Sequence, residues 1–473
     1  MDFINNIHTV NFEDLNYELD FDIWKAVKHL VRRQWWTRVW IIQECFLAKK
    51  PKFYCGRKAV DRESFTLLIQ LKSKYRVWYS ARLRSMQSSL AGPFTYLLEN
   101  WDEFKSLNVK GALNLTKMII ATTENHCSEP VDKIFALLSM CKDLDRQAIK
   151  VDYTLSARQL SIMVAKYQLM EIETHNPLFI LQRNLADKDP TLPSWVPDYT
   201  QCTDDENHIL SSKVGVTVGD SLPFAAGADN LAWTSLGLPR LSPQMNDSLN
   251  SITLRIEDEG SFETLVLHGL ILDVITAAFR PPWEDIYNGS DLEEDIRIKR
   301  RRRELMVNAC KEWEAYVKNL PVDRDPYEKT CTRYHAFWRT LITEREINPL
   351  GPPSPDSDLA ARFEAWMGRG TQNGKSGDDY EEYIRDFNQA AVPRCMYRSF
   401  LVTERGYIGL GSRNTVASQD HVCVLRGGTV PFILRKRTDG YWGLVGEAYV
   451  HGIMDGEFVR GAKKEDLRVF RIR

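Results

Sequence analysis

No run of about 18 uninterrupted apolar residues occurs in the 473-residue chain, so no membrane-crossing helix is expected. The nearest approach, Leu265 to Phe279, is interrupted by His268 and Asp273. The amino terminus, Met1-Asp2-Phe3-Ile4-Asn5-Asn6, has neither the basic stretch and apolar core of a secretory signal nor the acid-poor composition of a transit peptide. Neither sign of charge dominates: 62 Lys and Arg stand against 64 Asp and Glu, a net charge of -2. Bulk attraction to nucleic acid or to an anionic membrane is therefore not expected. The 9 cysteines form no C-x-x-C pair, and a chain of this size needs no disulfide staples, which points to reduced thiols in an intracellular setting. Also missing are the G-x-S-x-G nucleophile elbow and the G-x-x-x-x-G-K-[ST] phosphate loop. What remains is a soluble intracellular protein, cytoplasmic rather than nuclear.

A hydrophobic share of 43% in 54.7 kDa is enough for two or three packed domains. Between Phe21 and Ala48 apolar residues recur every three or four positions, which predicts a pair of amphipathic helices or one broken helix. Lys52 to Gly56 reads as a strand ending in a glycine turn, followed by a helix over 65–78 capped by Asp61 or Ser64. Further helices are expected at 112–123, 130–141, 157–173, 292–320 and 332–343. Pro190 to Pro197 carries three prolines and is an extended connector pinned by Trp195. Segments 251–255 and 264–268 read as strands, and 349–357 and 369–379 as loops. From Arg398 onward, short apolar runs alternate with glycine turns, the texture of a small antiparallel barrel. The fold class is α+β, mainly helical in the N-terminal and central regions, with a C-terminal small antiparallel β-barrel. The expected divisions are 1–48, 49–205, 206–395 and 396–473.

Few residues suggest chemistry. On one continuous helix Trp36, Trp40 and Glu44 would share a face, with Arg38 and Ile42 on another. A carboxylate beside two indoles is poorly solvated and suited to acid or base work, which makes Glu44 a candidate catalytic residue. The structural alternative, in which Glu44 accepts from an indole or an arginine and fastens the helix, is preferred, and Arg38 and Gln43 are read alike. Lys133 could take a phosphate, but Asp132 capping a helix after Pro130 is the better reading. His126, Cys127 and Cys141 fall short of the four or so ligands of a zinc site, so no metal is expected. Gly406, Gly409 and Gly411 sit in a strand pattern without a following helix and read as turn and bulge glycines. His451, Asp455 and Glu457 read as part of a tight turn, with Tyr449 and Ile453 facing inward. The basic run Arg297 to Arg303, preceded by Asp291, Glu293, Glu294 and Asp295, is a solvated helix face first and an import-receptor contact at Arg300, Arg301, Arg302 and Arg303 second.

The order of several blocks carries a resemblance. Trp35-Trp36-Thr37-Arg38-Val39-Trp40-Ile41-Ile42-Gln43-Glu44 resembles the W-aromatic-x-R-x-W-x-x-Q-E block of fungal heterokaryon-incompatibility (HET) proteins. Asp132-Lys133-Ile134-Phe135-Ala136-Leu137-Leu138 resembles their D-K-(V/I)-(Y/F)-A-L-L block. Val151-Asp152-Tyr153, Leu192 to Asp198, and the runs Phe400 to Leu410, Asp420 to Leu425 and Gly446 to Glu457 follow in the family's order. Two family segments, A-L-S-Y-x-W-G and W-I-D-x-x-C-I-x-Q, are absent ahead of Trp35, which only 34 residues precede. The resemblance therefore implies a HET protein without the front half of its effector domain, acting in nonself recognition and incompatibility cell death. It implies no cofactor, except under an alternative in which a TIR-like NAD-cleaving site is completed by another chain. A catalytically silent scaffold that binds an unidentified protein partner is the remaining alternative.

Overall fold

The computed structural model describes residues 33–67, 101–109, 113–123, 125–170, 189–200, 230–238, 254–259, 262–281, 292–328, 331–344, 358–369, 378–396, 398–412 and 415–473, and isolated positions 4, 26, 27, 29–31, 98, 178, 181 and 226. The expected loop at 349–357, nearly all of that at 369–379, most of the helix expected from Phe21 and most of that over 65–78 lie outside the described residues. The chain divides into two compact units.

The first unit holds residues 1–160, 199–204 and 286–299. Gln34–Thr37 forms a 3-10 turn, Arg38 is extended (φ -74°, ψ 131°), and helix α1 (Trp40–Leu47) starts only beyond it. The break has a lateral cause: the Val39 amide donates to the His126 carbonyl at 2.8 Å, and the His126 amide donates to Thr37 at 2.5 Å. Strands β1 (Lys52–Cys55) and β2 (Lys58–Asp61) form a hairpin whose turn needs a left-handed residue, supplied by Gly56 at φ 61°. Asp61, rather than Ser64, caps the helical turn that follows, accepting from the Ser64 amide at 2.8 Å.

Helices α2 (Trp101–Val109), α3 (Leu115–Ala121), α4 (Asp132–Leu138) and α5 (Asp143–Ala148) follow among the described residues of this unit. Asn114 caps α3 by accepting from Lys117 N at 2.8 Å, and the buried Asp145 accepts from Leu115 N at 2.8 Å. Every residue of α4 is buried. Ser156 and Gln159 form a reciprocal capping box ahead of α6 (Ala157–Met170).

The second unit holds residues 161–198, 205–285 and 300–473. After α7 (Asn230–Ser235) come β3 (Leu254–Glu259) and the 18-residue β4 (Phe262–Phe279). Helices α8 (Leu292–Lys318), α9 (Arg333–Leu341), α10 (Leu359–Trp366) and α11 (Asp378–Cys395) follow. The chain ends in β5 (Ser399–Thr403), β6 (Ile408–Gly411), β7 (His421–Leu425), β8 (Phe432–Lys436), β9 (Trp442–Val450), α12 (Glu457–Gly461) and β10 (Arg468–Ile472).

The strands of 396–473 share their sheet with β4. Antiparallel pairing runs β4-β5-β6-β9-β8-β7 and returns to β4, which meets β7 through Gly269–Val274 and β5 through Ile275–Phe279. Register shifts near Asp273 and Ile275 let one strand serve two partners, since each shift turns the strand as it changes neighbour. The first part of β4 also pairs with β3 and β10. Leu270, Leu272, Ile275, Leu401, Val422, Val424, Ile433, Ala448 and Val450 form one core with Trp233 of α7. On β5, Phe400 stacks on Trp313 of α8 with centroids 4.9 Å apart and meets Phe337 of α9 edge-on. Gly406 (φ 88°) is a turn glycine, and a Cβ there would lie 2.0 Å from the Arg324 carbonyl oxygen.

The basic run lies on α8, with Arg300 and Arg301 exposed and Arg302 and Arg303 half-exposed. Arg303 pairs with Glu381 at 2.5 Å and Arg301 with Glu304 at 4.0 Å, the second an exposed contact of little energetic weight. Among the described residues no helix is long and apolar enough to cross a membrane.

Candidate functional site

The break at Arg38 removes the shared helical face expected for Trp36, Trp40 and Glu44. Trp36 is buried among Trp35, Phe53 and Phe65, and its indole donates to Leu30 O at 2.9 Å. The Trp40 indole donates to Asp132 Oδ2 at 3.0 Å. Both indole N–H groups are thus engaged away from Glu44, which is exposed, as is Arg38; Gln43 is half-exposed. The sheltered setting between two indoles expected for Glu44 is therefore not the one found: its carboxylate faces solvent. Its neighbour Cys45 is buried, and burial together with the charge of Glu44 pushes the thiol up to about 12.

Asp132 does not cap α4. Val131 is the cap residue, and Asp132 opens the first turn without a capping bond. Its nearly buried carboxylate instead accepts from Trp40 on Oδ2 and from the Tyr153 hydroxyl on Oδ1, at 2.9 Å. That bond holds the Tyr153 phenol above its ordinary pKa. Lys133 donates its buried ammonium to the Thr123 carbonyl at 2.9 Å and to that of Asn125. The Asn125 amide then reaches the carbonyls of Trp36 at 3.4 Å and Arg38 at 3.5 Å. Lys133 thus braces the loop under the tryptophan block and does not present a cation to phosphate. Three sequence blocks, around Trp40, Asp132 and Tyr153, meet at one carboxylate.

In the second unit the proline connector docks through two residues. Trp195 is fully buried and donates to Glu263 O at 3.0 Å. The Ser194 hydroxyl accepts from Leu444 N at 2.8 Å and donates to the carbonyl of Arg473.

A third constellation was not anticipated from sequence. His451, at the end of β9, places Nδ1 3.2 Å from the Tyr449 hydroxyl and 3.7 Å from Glu344 Oε2, with Nε2 3.8 Å from Cys331 Sγ. Burial, and then the charge of Arg339, pulls the imidazole from its ordinary 6.5 down to about 4. Burial raises the pKa of the Glu344 carboxyl although Arg339 donates to it at 3.2 Å. Glu344 and Thr343 both have positive φ, 56° and 50°, a conformation disfavoured without glycine. Tyr449 and Ile453 are buried, as expected for the turn. The only signal in the sequence was His451 itself; Cys331 and Glu344 are 120 and 107 positions away and carried none.

The family description Het-6 beta-barrel domain matches residues 378–470, which take in α11 and strands β5 to β9. The chain is also 23% identical, over 517 aligned positions, to Heterokaryon incompatibility protein 6, OR allele, of Neurospora crassa. That alignment covers 96% of this chain and 68% of the relative. Both comparisons liken the chain to fungal heterokaryon-incompatibility proteins. No solved structure matches it significantly. The family match takes in five strands of the ring, while β4, which closes it, lies ahead of the match.

Proposed function

We propose that this chain acts in fungal nonself recognition, in the process that ends in the death of incompatible fused cells, and that it does so by binding a protein partner. The likeness to Heterokaryon incompatibility protein 6 along nearly the whole chain carries this reading. The exposure of Arg38 and Glu44 favours the partner-binding version, because polar side chains displayed around a buried tryptophan suit contact with another protein better than reaction in an enclosed cavity. The closed ring of strands is read as a small barrel that stiffens the rest of the body.

The test pairs fungal strains that are isogenic except at this gene and scores growth of the fused cells. Arrest that disappears on deletion, and weakens in Arg38→Ala with Glu44→Ala, is the expected result. Unchanged vigour in every pairing would overturn the reading. Release of nicotinamide from NAD by the purified chain would favour the enzymatic alternative.

A further inference from the structure

We propose that Cys331 is a thiol-modification site that takes a small disulfide by thiol–disulfide exchange, with His451 as the proton acceptor and Glu344 as its positioning residue. With its proton on Nδ1, donated to the Tyr449 hydroxyl oxygen at 3.2 Å and favoured by the Glu344 carboxylate at 3.7 Å, the ring turns its Nε2 lone pair to Cys331 Sγ, 3.8 Å away. The carboxylate is held there by Arg339 and by two successive left-handed residues, a costly backbone arrangement that places it beside the imidazole.

Cys331 is half-exposed while His451 is buried, so a reagent can reach the sulfur from solvent while the base stays shielded. Acyl transfer would need hydrogen-bond donors aimed at a developing oxyanion. Disulfide exchange needs only a base behind the sulfur and an open approach in front. In the step, the Cys331 sulfur attacks one sulfur of R–S–S–R as its proton passes to His451 Nε2. The new S–S bond forms as the old one breaks, and the departing thiolate takes the proton from His451 to leave as RSH. The disulfide itself is the oxidant, and no other reagent is consumed.

Among the described residues the groups facing the imidazole are Tyr449 on β9, Tyr327 at a centroid distance of 5.4 Å, Glu344 and Arg339 from α9 and its end, and Cys331; Asp455 and Glu457 act on Glu344. The imidazolium is disfavoured while the thiol keeps its proton. A thiolate forming at Nε2, with Glu344 at Nδ1, offsets that, so the proton moves as the bond to sulfur forms.

The full chain is incubated with oxidised glutathione, quenched in acid and mapped by mass. Cys55 and Cys127, half-exposed as well, serve as internal comparators. Cys331 is expected to react roughly tenfold faster than either at neutral pH. Its rate should stay nearly flat between about pH 5.5 and 7.5, where an unassisted thiol gains roughly a hundredfold. His451→Gln and Glu344→Gln should restore that rise. Equal rates at the three cysteines, or a tenfold rise per pH unit at wild-type Cys331, would overturn the proposal. The wild-type profile decides by itself should the variants fail to fold.

Discussion

Trp40 donates its indole N–H to Asp132 across 3.0 Å and 92 positions of sequence, which makes one carboxylate the meeting point of helices α1 and α4. Tyr153 donates to the other oxygen of the same carboxylate. The first prediction follows from this pair. Asp132→Ala should cost about 2 kcal/mol, because the half-buried indole loses its acceptor whereas the exposed phenol regains water. Urea unfolding measures it, and a cycle with Trp40→Phe should show coupling of about 1 kcal/mol. Alkaline titration should show the Tyr153 phenol returning toward its ordinary pKa in Asp132→Asn.

Trp36→Ala and Glu44→Ala should diverge sharply. The first empties a site packed among three aromatic rings and should destabilise by about 3–5 kcal/mol. The second alters an exposed side chain and should stay within about 0.5 kcal/mol. Thermal melts of the two variants provide the comparison; a large loss for Glu44→Ala would restore it to a buried role.

His451 makes stability depend on mild acid. Its folded pKa is depressed, from 6.5 to about 4, so the unfolded chain takes up a proton between those values and the folded chain does not. The contribution is present in full above about pH 6.5 and is lost as pH falls toward 4, to a total of about 3 kcal/mol. Stability measured from pH 7 to pH 4 should fall less steeply in His451→Gln than in the parent.

Arg398 and Glu447 form a pair at 3.4 Å with both side chains almost wholly buried, and burial lowers the arginine to about 10. Glu447→Leu should cost about 3–5 kcal/mol by leaving a buried cation without its counter-charge. Arg398→Met combined with Glu447→Leu should recover most of that loss, since the double change removes the charge as well. Chemical denaturation of the two variants distinguishes these outcomes.

Much of the second unit was legible locally. The runs at Phe400, Ile408, Val422, Phe432 and Trp442 all became strands, because each combines β-branched or aromatic residues with a bounding turn. Helix α11 was missed: Pro393 within it argues against a helix, although near the end of one a proline removes little. Strand β4 was only partly read, as 264–268, because His268, Gly269 and Asp273 break its apolar run and no local rule extends one strand across two sets of partners. At the candidate sites, the sequence named Trp40, Asp132 and His451 but assigned Trp40 to a shared face with Glu44 and Asp132 to a cap.

The sequence by itself determined the elements whose causes lie within a few residues: the capped helices, the glycine hairpin, the rigid proline connector and the strand-and-turn rhythm of the C-terminal segment. The tertiary structure alone decided that Asp132 receives Trp40 and Tyr153, that Phe262–Phe279 closes the ring, and that Cys331 and Glu344 stand at His451. Propensity and periodicity act over one or two turns of chain. The choice of a partner about 100 residues away is settled by which arrangement buries apolar surface while leaving each buried donor an acceptor.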